Sequence, residues 1–456
     1  MNRNAHSQSQ QHRSRIRRQT QEVGAVDFFN LLAGPELLEV TDTYLPEHRE
    51  RLYPPTVTLS MFMKQVLAAD RSCQRAVNAW AAQRAVDGLS VQSIRTGAYC
   101  QARQRLPLGM VTALTRQTGR LLFDQARPAW RWHGRAVKLA DGTGISMPDT
   151  PENQACYPQP STQAPGVGFP LARLVAIICL STGAVLEVAI GPHAGKGNTE
   201  LDLMRSLLDA FAAGDVLLAD ALYCNYFMIA MLQAAGVDVL FEQHGARSTD
   251  FRRGCRLGKR DHVVRWPKPR MRPEWMTPEQ YQSAPDELTV REVYVDGRVL
   301  VTTMLNARQV PKGELFELYA CRWHVELDIR NIKTTLGMEV LRCLTPPMVE
   351  KELWVYLLAY NVIRLLMAQA AQYAGLHPRE LSFKHTVQMW SVWTMTALRT
   401  DPAEFFRLLA QLTVGNRPGR IEPRARKRRP KSYPWLKVPR AKARHQIRTH
   451  GHTLSA

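Results

Sequence analysis

The sequence predicts an α/β fold: a mixed sheet flanked by helices, with a β-rich insertion and an all-helical N-terminal domain. Three observations predict it. Apolar residues recur at helical spacing from Phe28 to about Ala126. Near Ala136 the period changes to that of strands, and strand then alternates with helix. From Lys312 onward the chain reads as helix again.

Residues 1–22 are rich in Gln, Ser, His and Arg with little to bury, and read as a flexible basic arm. Residues 23–130 form the helical domain: Leu59, Phe62, Met63, Val66 and Leu67 mark one apolar face, and Ser60 and Ser72 are candidate helix caps. A helix over Ser90–Leu106 would carry Arg95, Arg103 and Arg105, followed by Arg116 and Arg120, so the module presents either a nucleic-acid-binding face or a plain solvated one. Residues 131–241 read as the first part of a catalytic core. Strands are expected at Ala136–Ala140, Leu171–Leu180, Ala184–Ile190, Val216–Ala219 and Val237–Phe241, with helices at Glu200–Ala212 and Asn225–Ala235. Residues 242–310 hold Pro, Gly, many basic residues and short alternating runs at His262–Trp266, Thr289–Val295 and Val299–Met304, a β-rich insertion. Residues 311–412 complete the core in helices, through Leu344, then Met348–Tyr373, then Leu381–Leu412. Residues 413–456 are a basic tail, with thirteen Lys and Arg and one acid, Glu422, between Arg417 and Arg448. Its prolines argue against a long helix and for a segment draped along a polyanion.

At 456 residues the chain suits two or three domains of ~150 residues. A composition of 45% hydrophobic and 22% charged residues excludes a disordered chain, and a net charge of +20 points to a polyanionic partner, nucleic acid before an acidic membrane surface. The eight cysteines are dispersed without a CxxC pair, so neither a zinc site nor a disulfide framework is indicated and a reducing compartment is expected. Met1–Arg18 has no apolar core to serve as a signal peptide, so the expected location is cytoplasmic. The apolar stretch Leu353–Ala371 contains Asn361 and Arg364 and reads as a buried helix, not a membrane span.

Two carboxylates follow apolar strand runs: Asp141 after Val137–Ala140 and Asp220 after Val216–Ala219. Adjacent carboxylates repel unless a cation intervenes, and hard divalent ions prefer oxygen donors, so a shared metal site is one reading and turn-starting Asp residues the other. A third acid sits in Leu315–Leu336, where Tyr319, Arg322, Glu326, Arg330 and Lys333 are spaced to share one face of a continuous helix. That face is either a salt-bridged stripe or a metal-binding Glu whose basic neighbours grip phosphates.

Tyr319, Arg322, Glu326 and Lys333 match the Tyr-x2-Arg-x3-Glu-x6-Lys signature of bacterial insertion-sequence transposases of family four, DDE-type cut-and-paste enzymes. Asp141-Gly142-Thr143 and Leu217–Tyr223 resemble the two segments that carry the catalytic Asp residues of that family, and the similarity extends loosely from Leu59 to Lys437. The resemblance implies an RNase H-like core in which Asp141, Asp220 and Glu326 are catalytic and hold Mg2+, with Mn2+ able to substitute. It implies that Tyr319, Arg322, Arg330 and Lys333 meet DNA. The implied partners are double-stranded DNA at terminal inverted repeats and target sites, and a second copy of the chain in a DNA-bound homodimer. Relatives flip a base onto an aromatic residue; Trp266 and Trp275 lie in the insertion, and neither sits in a matching motif. Leu222 stands where relatives often carry Gly. His193, Lys196 and Asn198 read as a polar turn able to approach DNA, His133 as structural, and Tyr223 and Tyr226 as packing or site-lining residues. A catalytically inactive DNA-binding protein and a nuclease without strand transfer remain the alternatives.

Overall fold

The computed structural model describes residues 35–45, 52–86, 88–90, 93–195, 197–396, 402–415 and 438–451. The expected basic arm, Lys196 and the proline-rich part of the tail lie outside them.

The N-terminal segment is helical: α1 (Pro35–Tyr44), α2 (Pro55–Leu67), α3 (Cys73–Val86), α4 (Gly97–Arg105) and α5 (Leu108–Asp124). Proline at the first position starts α2 five residues before Ser60, which is buried inside that helix and caps nothing. Ser72 does cap, its Oγ accepting from the Arg75 amide at 3.1 Å. The helix expected from Ser90 begins only at Gly97. Arg103 on it is buried, stacked 3.8 Å from the Phe62 ring and donating to the sulfurs of Cys73 and Cys343 at 2.9 and 3.1 Å. It belongs to the core and not to a basic face.

The core follows as β1 (Val137–Ser146), α6 (Pro151–Cys156), β2 (Leu171–Cys179), β3 (Val185–Pro192), α7 (Glu200–Arg205), β4 (Val216–Ala219), α8 (Tyr226–Ala234) and β5 (Asp238–Glu242). The helix expected to reach Ala212 stops at Arg205 and gives way to a 3-10 turn over Leu208–Ala210. β1, β4 and β5 are parallel, while β2 and β3 form an antiparallel meander on the other side of β1. This arrangement is an RNase H-like sheet.

The insertion supplies β6 (Cys255–Gly258), β7 (Asp261–Pro267), α9 (Pro278–Ser283), β8 (Glu287–Val295) and β9 (Arg298–Thr302). Its strands do not make a separate sheet. β9 pairs antiparallel with β5, so one nine-stranded sheet runs β3-β2-β1-β4-β5-β9-β8-β7-β6 among the described residues.

Helices then cover the sheet: α10 (Lys312–Ala320), α11 (Trp323–Arg330), α12 (Pro346–Ala374), α13 (Phe383–Thr396) and α14 (Pro402–Ala410). The composition of α12 fits a membrane crossing, yet 94% of its most apolar window is buried inside the fold. Asn361 on α12 donates to the carbonyls of Thr115 and Val185 at 3.1 and 2.8 Å and accepts from the Val185 amide at 2.9 Å, which satisfies a polar group that would cost ~1–3 kcal/mol unpaired. Gly119 permits that approach, since a Cβ there would stand 2.3 Å from the Val185 carbonyl oxygen. Strand alternation splits the core in two: Leu139, Leu174, Ala176 and Ile178 face the layer of α5 and α12, and Ala140, Val175 and Ile177 face that of α7 and α8. In the tail, α15 (Arg440–His450) is a short helix with no buried residue, where the sequence argued only against a long one. No proline follows Pro439, and Ala, Arg, Lys and Gln are good helix formers.

Candidate active site

β1 and β4 bring the two aspartates together. Their register pairs Lys138 with Leu217 and Leu139 with Leu218, and two further steps set Asp141 beside Asp220. β4 ends at Ala219, which leaves Asp220 at the carboxyl end of a parallel strand where α/β sheets bind ligands. Asp141 does not end its strand as expected. Antiparallel pairing with β2 carries β1 on to Ser146, so Asp141 sits in mid-strand, just beyond the last β4 partner.

Each carboxylate is held by the backbone that follows it. Asp141 Oδ1 accepts from the Gly142 amide at 2.8 Å, and Asp220 Oδ1 accepts from the Leu222 amide at 2.9 Å. Leu222 keeps an ordinary negative φ, so the turn after Asp220 needs no glycine; the described non-glycine residues with positive φ are His133, Arg260 and Asp296. Burial pushes the Asp141 carboxyl up to about 7 against the pull of the Gly142 amide; Glu200 and Asp220 push it further and Arg322 pulls it back.

The segment expected as one helix is three pieces. α10 ends at Ala320, a turn at Cys321 and Arg322 leads into α11, and a π-helical turn over Asn331–Thr335 follows. The turn and the wider π winding shift the phase, so the five residues do not share one face. Tyr319 is buried, 4% exposed, and its hydroxyl donates to Glu242 at 3.3 Å; burial raises its pKa. Arg322 donates to Glu326 at 2.8 Å, so the salt-bridge reading of that pair holds here. Lys333 reaches back to the Thr143 hydroxyl at 3.1 Å, two residues along β1 from Asp141, while Arg330 is exposed.

On the other side of α11, two residues from Glu326, Asp328 is fully buried and takes both Arg364 of α12 and Arg379, the latter at 2.7 Å. Arg379 also donates to the carbonyls of Cys179 and Leu180 at 3.0 and 2.7 Å, which ties α11 to the end of β2. His324 beside them is pushed down to about 4 by burial and by the two arginines. Nothing in local spacing marks this anchor, because its partners come from 36 and 51 residues downstream.

A fourth acid that the sequence reading passed over also lies here. Glu200, the first residue of α7, accepts the Tyr223 hydroxyl at 2.7 Å and rests against Gly142. Other singled-out residues have partners within the fold. Trp266 is buried with its indole donating to Glu292 at 2.8 Å; Tyr226 donates to the Pro285 carbonyl at 2.5 Å; His133 pairs with Glu314 at 2.8 Å. Trp275 is 39% exposed, with the Arg205 guanidinium 3.9 Å over its ring. His193 and Asn198 both meet Arg173.

Among the described residues no three His, Cys, Asp or Glu side chains form a ready metal cage. The chemistry of the donors nonetheless fits a hard divalent cation: Asp141, Asp220, Glu200 and Glu326 offer only carboxylate oxygens, and the Asp141 carboxyl is raised by burial first and by Glu200 and Asp220 after it.

The family model "Transposase DDE domain" matches residues 132–362, the span that runs from the start of β1 into α12. The chain belongs to the DDE transposases. Transposase InsG for insertion sequence element IS4, from Escherichia coli (strain K12), is 30% identical over 362 residues, covering 75% of this chain and 78% of the relative. A solved piggyBac transposase synaptic complex with hairpin DNA aligns over 81% of this chain and 87% of its own, with 9% identity and a TM-score of 0.38. The transposase is thus a DNA-cleaving and strand-transferring enzyme of the insertion-sequence type, in a family that uses divalent metal ions.

Proposed function

We propose that the transposase cuts at the terminal inverted repeats of an insertion sequence and joins the freed ends to target DNA, with Asp141, Asp220 and Glu326 as its catalytic carboxylates. The pairing register that sets Asp141 beside Asp220 carries this reading. The three side chains would hold Mg2+, with Mn2+ able to substitute. When bound, the metal supplies an activated water or 3′ hydroxyl and a counter-charge for the leaving oxygen.

The remaining work falls to the protein's own residues. Asp141 and Asp220 each accept a backbone amide, which limits the side-chain reorganisation needed to bind a shared cation. Arg322 guards Glu326 as an ion pair and becomes a phosphate contact once Glu326 turns to the cation. Lys333, placed along β1 by Thr143, supplies a mobile positive charge to the scissile strand, and exposed Arg330 reaches the flanking phosphates. Tyr319 supports the site from its buried side through Glu242. The helices before Trp130 and the basic tail extend the duplex contact, a second copy completes a homodimer on paired ends, and the setting is the bacterial cytoplasm at the nucleoid.

Incubating full-length protein with end-bearing duplex and Mg2+ tests the reading. Wild type is expected to nick and transfer, and Asp141→Ala, Asp220→Ala and Glu326→Ala to bind the ends but leave them whole. Full cutting by any of the three rejects the assignment. Cutting without joining would make the chain a nuclease.

A further inference from the structure

Glu200 is placed by three independent constraints. As the first residue of α7 it follows Thr199, whose hydroxyl accepts from the Asp202 amide at 3.2 Å while Asp202 accepts from the Thr199 amide at 2.8 Å, so the entry to the helix is locked. Its carboxylate lies against the backbone of Gly142, the residue after Asp141. A Cβ at Gly142 would stand 2.3 Å from Glu200 Cδ and 2.3 and 2.7 Å from its two oxygens, so only glycine admits the carboxylate there. Tyr223, three residues after Asp220 and fully buried, donates its hydroxyl to Glu200 Oε1 at 2.7 Å. Glu200 is therefore wedged between the two segments that carry the paired aspartates.

This placement brings a third carboxylate to the paired aspartates. The carboxylate sits where it adds negative charge to Asp141 and raises the Tyr223 phenol, and the neighbouring Arg322 and Lys333 are directed to Glu326 and Thr143. A helix-start acid needed only for α7 would point to solvent. We propose that Glu200 is a fourth carboxylate of the divalent-cation site, held in place by Gly142 and Tyr223. The inference rests on the reading of Asp141 and Asp220 as metal ligands.

Mn2+ binding to the full-length protein, followed by the electron paramagnetic resonance of free Mn2+, tests it without reference to activity. Glu200→Gln keeps the volume and the acceptor for Tyr223 and removes only the charge. It is expected to weaken Mn2+ binding about 10-fold or more, and Asp141→Asn and Asp220→Asn to weaken it at least as much. Tyr223→Phe frees the carboxylate without altering its charge and is expected to weaken binding several-fold, which provides a second reading should Glu200→Gln fold poorly. Wild-type Mn2+ affinity in both Glu200→Gln and Tyr223→Phe, with loss in the aspartate variants, overturns the role of Glu200 alone. Wild-type affinity in the aspartate variants overturns the metal-site reading beneath it.

Discussion

Asp328 and Asp141 are acidic side chains of the same layered core, the first fully buried and the second half-buried, and the protein treats them oppositely. Asp328 is closed off by two guanidinium groups, Arg364 and Arg379, themselves tied to Tyr360 and to the end of β2. Asp141 receives one backbone amide and makes no direct ion pair among the described residues; Glu200 and Asp220 raise its carboxyl and the more distant Arg322 lowers it. Where the fold needs only stability it neutralises a buried charge within the chain. At the proposed cation site the described residues give the carboxylate no such direct partner.

The largest effect that sharpens this contrast is expected at Asp328. Asp328→Ala strands two buried guanidinium groups and is expected to cost about 3–5 kcal/mol in urea unfolding. A loss below about 1 kcal/mol would mean that solvent reaches the cluster and the contrast with Asp141 is smaller than drawn. At Asp141 the sign reverses. Asp141→Asn removes a charge that burial disfavours and is expected to stabilise the metal-free protein at pH 8 by on the order of 1–2 kcal/mol while abolishing cleavage. Destabilisation on that substitution would break the comparison.

The pH dependence follows from the same shift. With its folded pKa at about 7, above the unfolded value of ~3.9, Asp141 binds more proton in the native state between those limits. Its contribution to stability is therefore full at the acid end and is lost as pH rises toward and through 7. In chelator, the melting temperature of wild type should fall from pH 5 to pH 8 by more than that of Asp141→Asn, and saturating Mg2+ should remove most of the difference. Parallel pH curves for the two proteins would show that Asp141 does not titrate in this window.

The smallest effects are expected at Arg322 and Lys333, which lie at the rim. Alanine at either should change folding stability by less than about 1 kcal/mol. Each should lower the slope of log affinity against log salt by ~0.9 on duplex DNA. An unchanged salt slope for Lys333→Ala would confine that residue to its contact with Thr143.

Much of the site could be read from the sequence because its signals are local. Apolar runs ahead of Asp141 and Asp220 announce strands, and the spacing of Tyr319, Arg322, Glu326 and Lys333 is a motif. What escaped depends on partners far along the chain. Glu200 after Thr199 looks like any acid in a first helical turn, and only the approach of Gly142 and Tyr223 gives it another role. Arg364 declared itself a buried residue of a core helix, but not that it would meet Asp328. The break at Cys321 and the π turn at Asn331 escaped because apolar spacing continued through both. Three of the insertion's strands, β7 to β9, were visible one by one and β6 was not, while their union with the main sheet rests on the β5–β9 pairing that no local pattern encodes.

That pairing gives the insertion adjacent entry and exit points on the main sheet, and its Trp266, Leu288 and Val290 join the buried cluster of Phe227 and Ile229. The chain leaves the main sheet at Glu242 and returns at Leu300 directly opposite, and the Gln243 amide already donates to the Val299 carbonyl at 2.9 Å. A tight turn spliced between Gln243 and Val299 would convert β5 and β9 into a plain hairpin. The strands bearing Asp141 and Asp220 would keep their order, and the chain would still run from β9 into the helices that present Glu326. The enzyme thus carries a docking seam between β5 and β9 in mid-sheet, one strand away from the β4 that leads to Asp220, where a module can be exchanged without reordering β1 and β4.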